Sequence, residues 1–390
     1  MSTKLLIFQS HPIQYFSPLY KEMAKSIEME VVYYSDASLQ ATFDKGFGQT
    51  IQWDIPLLEG YRYSFLKNYS FSKSMDCKWY NAINFAILKK IKTASSQVVL
   101  INGWSYFSDW MVIFSAKLFK KEIWVRADNP LSQEQRKGIK AVLKKFILRK
   151  FLFPHIDKFL YVGKESKAFF EFYGAKQHQL IYTPHAVDNT FFQHQHSILE
   201  ARKSEIKKHL GIPIPSKIIL WSAKMISKKR PFDILRAFEL LHLKEVHLIL
   251  LGDGALRNDL ENYIELYSIT NVHLKGFINQ SFISQYYSIA DIFVLTSGFG
   301  ETWGLVVNEA MNFKLPIIVS DACGCAKDLV EDGGNGGIYT LGDITTLRSI
   351  LQKYLVDENL CKRSGHRSLE KISEYSYTTI ISNLSNLLTK

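Results

Sequence analysis

Cysteine is scarce in this chain: Cys77, Cys323, Cys325 and Cys361 are the only four in 390 residues. Only Cys323 and Cys325 are close in sequence, and one intervening residue fits none of the usual zinc-ligand spacings. The thiols therefore read as ordinary reduced cysteines of a cytoplasmic protein, not as a disulfide framework. Acidic residues are also in short supply: 37 Asp and Glu face 48 Lys and Arg, a formal net charge of +11. That excess favours anionic partners, whether nucleic acid, an anionic membrane face or phosphorylated small molecules, without choosing among them. No apolar run reaches the length of a bilayer span. The opening "MSTKLLIFQSHPIQYF" lacks the long apolar region and small-residue cleavage site of a secretion signal, and reads as a first strand. No helix-turn-helix, zinc-finger or RNA-recognition signature is present, so no nucleic-acid partner is expected.

What is present is ordinary globular material, 47% hydrophobic and 22% charged. At about 150 residues per domain, the length suggests two or three domains. Short β-branched or aromatic runs ("KLLIFQS", "MEVVYYS", "QVVLING", "EIWVRAD", "KFLYVG", "QLIYTPH") alternate with amphipathic segments such as 80–94 and 132–153. The pattern breaks at 189–216, a polar stretch ending in "GIPIPS", where two prolines interrupt regular structure. His194 and His196 inside it read as solvated loop residues. A second alternating series follows: "KIILWSAK", "VHLILLGD", "VHLKGF", "DIFVLTS", "PIIVSD". Strands alternating with helices imply parallel sheets covered on both faces. The fold class expected is therefore α/β, two doubly wound Rossmann-like domains facing a central cleft. The boundaries read as 1–188, a linker 189–216, 217–370, and a last helix in 371–390 packed back on the first domain.

In such sheets ligands sit outside the carboxyl ends of the strands. After "KIILWSA" come Lys224, Lys228, Lys229 and Arg230, and after "DIFVLTS" comes "GFGETWG". Thr302 is expected to cap a helix, with Gly304 in its first turn, where free N–H groups and the helix dipole favour a phosphate. Glu301 precedes the helix and Glu309 lies within it. The two fall in one quadrant if the helix extends back that far. Carboxylates accept hydrogen bonds from sugar hydroxyls, so two of them flanking a phosphate cradle suit a nucleotide-sugar, with Lys224 and Lys229 as point charges on its diphosphate.

The segment 217–343 resembles the family 4 glycosyltransferases, retaining enzymes of the GT-B fold. The resemblance is carried by "WSAKMISKKRPFDILRAF", "LILLGDGALRNDLE", "GFGETWGLVVNEAMNFKLPIIVSD" and the two glutamates with seven residues between them, Glu301 and Glu309. It implies that Glu301 binds hydroxyls of the donor sugar and Glu309 the ribose. Lys224 and Lys229 would hold the diphosphate with backbone N–H groups around Gly304 and Leu305, and the backbone near Ile278 would meet the base. It implies no cofactor and no metal, and the chain has no Asp-x-Asp motif. Three departures stand out. Ala223-Lys224 replaces the usual Gly-Arg. Ser10-His11-Pro12-Ile13-Gln14 replaces a glycine-rich first loop and puts His11 in range of donor or acceptor. "VRADNP" puts Arg126 and Asp128 where many members carry a histidine.

The implied reaction moves a hexose-type sugar from a UDP- or GDP-type donor to a glycan or lipid-linked acceptor, in envelope polysaccharide or glycoconjugate synthesis. The rivals are a sugar-nucleotide epimerase on the same fold and a non-enzymatic nucleic-acid binder. The stretch "KGIKAVLKKFILRKFLF" places Ile139, Val142, Leu143, Phe146 and Ile147 on one helical arc and most of its basic residues on the other. It reads as a domain helix with its apolar arc in the core, or as a basic helix on an anionic membrane surface. Because Lys150 falls back on the apolar arc, the packed form is expected. The expected location is the cytoplasm, with the inner membrane face as the alternative.

Overall fold

The computed structural model describes residues 4–72, 76 and 78–389. Cys77 lies outside them. The chain packs as two units. The first comprises the described residues up to Thr42, then Ile55–His185, then those from Tyr377 onward. The second comprises Phe43–Asp54 and Ala186–Ser376.

In chain order, β1 (Leu5–Gln9) and β2 (Met29–Tyr33) open the first unit, and a hairpin follows as β3 (Thr42–Asp44) and β4 (Gln49–Ile51). The first unit resumes with β5 (Arg62–Phe65), β6 (Val98–Asn102), β7 (Glu122–Ala127), β8 (Lys158–Tyr161) and β9 (Leu180–Tyr182). Its sheet is parallel, in the order β5-β2-β1-β6-β7-β8-β9. Ile7 pairs with Val31 on one side and Leu100 on the other. Strands covered on both faces read as continuous apolar runs, and "LLIFQ" is buried at every position. Leu6, Phe8, Val99, Ile101, Val125 and Phe159 meet Phe169 and Phe170 in the core.

The second unit holds β10 (Lys217–Ser222), β11 (Val246–Leu251), β12 (Val272–Leu274), β13 (Ile292–Leu295), β14 (Ile317–Ser320) and β15 (Gly336–Tyr339). They form a parallel sheet ordered β12-β11-β10-β13-β14-β15. Ile219, Trp221, Leu248, Leu250, Val294 and Ile318 make its core. The strand β15, "GGIY", was not expected: glycines carry little strand signal. Here they are needed, because a methyl on Gly336 would stand 1.7 Å from the Ile317 carbonyl oxygen.

Two expectations are corrected. Residues 189–216 are not an irregular link. They form the helices Asn189–Glu200 and Lys203–His209, which pack on the helix Gln280–Ile289 of the second unit. Asp188 caps the first by accepting the Phe191 N–H at 2.9 Å. The prolines fall only after the second helix. His196 is therefore buried, 3.0 Å from Glu200, while His194 is exposed on the same helix.

The second correction concerns the basic amphipathic segment. Its helix runs Ile139–Ile147 and continues as a wider π-type turn, Leu148–Leu152. Ala141, Leu148 and Leu152 face the core. The apolar arc does not: Ile139 is 88% exposed and Val142 67%, with Leu143 and Phe146 also exposed. Two basic side chains of the helix are half-buried instead. Lys144 bonds Glu134 at 2.8 Å and lies over the Phe169 ring, and Lys145 lies over Phe172. Among the described residues no helix is long and apolar enough to cross a membrane.

Candidate active site

The sheet of the second unit reverses its winding between β10 and β13, and ligands of such sheets bind at that switch point. The loops following these two strands, 223–230 and 296–304, are bound to each other. Thr296 Oγ1 lies 2.8 Å from the Lys229 carbonyl and accepts the Trp221 indole N–H at 2.9 Å. The Gly298 N–H donates to the Lys228 carbonyl at 2.8 Å. This lacing brings the Lys229 ammonium onto the Glu301 carboxylate, with both side chains largely buried. A buried ion pair in a ligand crevice costs desolvation that packing alone would not require.

The turn that carries Glu301 is held from below. The Gly324 N–H donates to the Glu301 carbonyl at 3.0 Å, and the Cys325 N–H donates to the Trp303 carbonyl at 3.1 Å. The following helix, Leu305–Met311, begins later than expected. Gly304, with φ +105°, is its N-cap, so Thr302 is not. Only glycine takes that dihedral comfortably, and a Cβ there would meet Leu295 at 2.7 Å. The first-turn N–H groups are those of Leu305 and its successors.

Glu301 thus stands outside the helix, and the single helical face expected for the two glutamates does not form. Glu309 is fully buried and turned toward the helix Gln280–Ile289. It accepts the Tyr287 hydroxyl at 2.7 Å and Gln280 Nε2 at 3.2 Å. Gln280 comes two residues after Ile278, so the glutamate is tied to the segment expected to meet the base. Lys224 has a protein partner that the sequence did not suggest. Its ammonium lies 2.8 Å from both oxygens of Asp44, a residue of the β3–β4 hairpin.

Among the first-unit candidates, His11 follows β1 with Nδ1 3.1 Å from Ser10 Oγ. Burial pushes its imidazole down to about 4, so it is neutral at physiological pH. Arg126, at the end of β7, is buried. Its Nη2 donates to the Pro184 carbonyl at 3.2 Å and lies 3.4 Å from His185 Nδ1, and its Nε has no hydrogen-bond partner. Asp128 Oδ2 lies 3.4 Å from His185 Nε2. Burial, and next Arg126, hold the His185 imidazole below its usual range, while Asp128 pulls the other way.

Arg126 and Asp128 therefore bracket a histidine. That histidine, His185, ends the strand run "QLIYTPH" and has no role in the sequence reading. Its position just after β9 was the available signal. Tyr287, Gln280 and Asp44 were also missed. Among the described residues, no group of three or more His, Cys, Asp or Glu side chains could hold a metal ion.

Residues 202–371 match the family model described as glycosyl transferases group 1. The chain is 27% identical over 187 residues to the sulfoquinovosyl transferase SQD2 of Arabidopsis thaliana, covering 47% of this chain and 36% of that protein. It is 27% identical over 176 residues to the N-acetyl-alpha-D-glucosaminyl L-malate synthase of Bacillus anthracis, covering 44% of each. The chain thus spans less than half the length of these two curated relatives. In fold it is similar to Anabaena Alr3699/HepE, solved in complex with UDP and glucose: TM-score 0.73, 16% identity, 99% of each chain covered. The two parallel sheets give the chain a fold similar to that of GT-B glycosyltransferases such as HepE, and its residues 202–371, which carry the laced loops after β10 and β13, match the group 1 glycosyl transferase model.

Proposed function

We propose that this protein transfers a hexose-type sugar from a nucleotide-diphosphate donor to a glycan or lipid-linked acceptor, retaining the anomeric configuration. The observation that carries the reading is the Lys229–Glu301 pair at the switch point of the second sheet. A cation there suits the diphosphate leaving group, and a carboxylate bonded to it suits the hydroxyls of the departing sugar. Glu309, held by Tyr287 and Gln280, is assigned to the ribose, and the backbone at Ile278 to the base. Gly304 and Leu305 supply N–H groups to the phosphates, with Thr302 in the turn before them. In the first unit Arg126, Asp128 and His11 are assigned to the reacting sugar or the acceptor. Support for a uridine nucleotide comes from HepE, whose structure was solved with UDP and glucose.

A donor-turnover assay tests this reading. Removing one charged group from a site of this type costs on the order of 100-fold or more in rate. Glu301→Gln and Lys229→Met are each expected to show that loss. Each leaves its partner charge uncompensated. The double variant Lys229→Met/Glu301→Gln removes both charges together, so its unfolding temperature should stay near wild type while activity remains lost. Near-normal turnover in both single variants would refute the assignment.

The exposed apolar arc of Ile139–Ile147 supports a finer reading, docking on an anionic membrane face, where a lipid-linked acceptor would be met. Lys140, Arg149 and Lys150 are exposed beside the apolar side chains and supply the charge complement. Sedimentation with anionic and neutral vesicles tests it, as set out below.

A further inference from the structure

The β3–β4 hairpin joins neither large sheet. A lone two-stranded ribbon is at best marginally stable in water, so its hold comes from the loops after β10, β11 and β12. The Asp44 carboxylate grips Lys224 Nζ at 2.8 Å through both oxygens. The carbonyl of Gly46 packs so closely on Gly254 that a methyl there would stand 2.7 Å away. The rings of Phe47 and Trp53 meet Phe277 edge-on, with centroids 4.9 and 5.9 Å apart. Asn279 Nδ2 donates to the Gln52 carbonyl at 2.7 Å, and the Ser281 hydroxyl bonds the Asp54 carboxylate.

Lys224, Gly254 and Phe277 follow the ends of β10, β11 and β12, where the proposed function seats a diphosphate and a base. Asp44 is also fixed before it meets the lysine, since its Oδ1 accepts the N–H groups of Gly46 at 2.7 Å and Phe47 at 3.1 Å. Burial works against its charge. Lys224 and those two N–H groups outweigh that effect and hold the carboxyl below its usual range. An oriented, charged carboxylate on a lysine meant for phosphate has the chemistry of a phosphate stand-in.

We propose that Phe43–Asp54 is a built-in competitor for the donor: Asp44 occupies the anion seat on Lys224 until a nucleoside diphosphate displaces it, while Phe47 and Trp53 stay on Phe277 as a wall beside the base. This rests on the donor reading above. The apparent donor affinity is then reduced by the fraction of molecules in which Lys224 is occupied.

Calorimetric titration with UDP, GDP and inorganic pyrophosphate tests it on three proteins: wild type, Asp44→Asn, and Asp44→Asn/Lys224→Gln. Asp44→Asn should bind at least one ligand about fivefold more tightly than wild type, the scale of a partly exposed ion pair. The double variant should lose that gain. Equal or weaker binding by Asp44→Asn overturns the competitor and leaves the donor reading standing. If none of the three proteins binds any of the ligands, the donor reading fails and the competitor fails with it. Amide exchange on the unmodified protein is the second measurement. Saturating ligand should speed exchange at Gly46 and Phe47, whose N–H groups lose Asp44, and unchanged exchange there overturns the proposal.

Discussion

At Gly324 the backbone comes so near residues 301–302 that a methyl would stand 1.9 Å from the Thr302 carbonyl oxygen. Neither group can yield without moving the turn that presents Glu301, because the Gly324 N–H is bonded to the Glu301 carbonyl. Gly324→Ala should therefore destabilise the protein by about 1–3 kcal/mol, the range for forced overpacking. It should also lower turnover at temperatures where the protein is still folded, and differential scanning calorimetry beside a rate assay checks both. Normal turnover with a reduced Tm would mean that the turn tolerates displacement. The residue scale is also where sequence reading was strongest and weakest. Lys229 and Glu301 could be found because each follows its own strand by a few positions, a local pattern. Lys224 was placed in its loop, but its contact with Asp44 was not foreseen. Asp44 is 180 residues away, and nothing in "TFDKGFGQT" marks it as a lysine's counter-ion. Glu309 was expected to share a face with Glu301, and failed to because a glycine at positive φ starts the helix four residues after Glu301.

At the level of elements, periodicity proved a sound guide to what forms and a poor one to which way it faces. The arc of Ile139, Val142, Leu143 and Phe146 is real, but it stays exposed while Lys144 and Lys145 find partners in Glu134, Phe169 and Phe172 on the other side of the helix. Exposed apolar patches of this kind, rimmed by charge, mark interaction surfaces. Wild-type protein is expected to sediment with anionic vesicles and much less with neutral ones, and to be released as salt rises. Phe146→Asp should reduce that binding several-fold without lowering the unfolding temperature, since the side chain is half exposed already. Equal sedimentation with both lipids, or no effect of the substitution, removes the membrane reading. Prolines misled in the opposite sense. Pro213 and Pro215 do end regular structure, but only after two helices whose polar composition hid them.

For the molecule as a whole, buried ionisable groups set opposing pH responses. Asp109, buried against Tyr34 and the Tyr106 N–H, is pushed up to about 7, chiefly by burial. A carboxyl raised on folding contributes stability at low pH that fades as pH climbs from about 4 through 7. His11 is depressed to about 4, so its contribution is present above about 6.5 and fades as pH falls. Asp109→Asn should therefore lie progressively closer to, or above, wild type in urea midpoint as pH rises across that window. A difference between the two that stays constant from pH 4 to 8 would show that Asp109 does not titrate there. The two-sheet plan was legible in the sequence because strands buried on both faces declare themselves residue by residue. Which segment joins which unit was not, because that depends on contacts across long stretches of chain.

The C-terminal helix Tyr377–Leu388 belongs to the first unit, where Asn383 Nδ2 donates to the Tyr182 carbonyl at 2.8 Å beside β9. During translation this helix leaves the ribosome after the whole of the second unit. The nascent first unit therefore lacks this cover on β9 until the second unit has been synthesised.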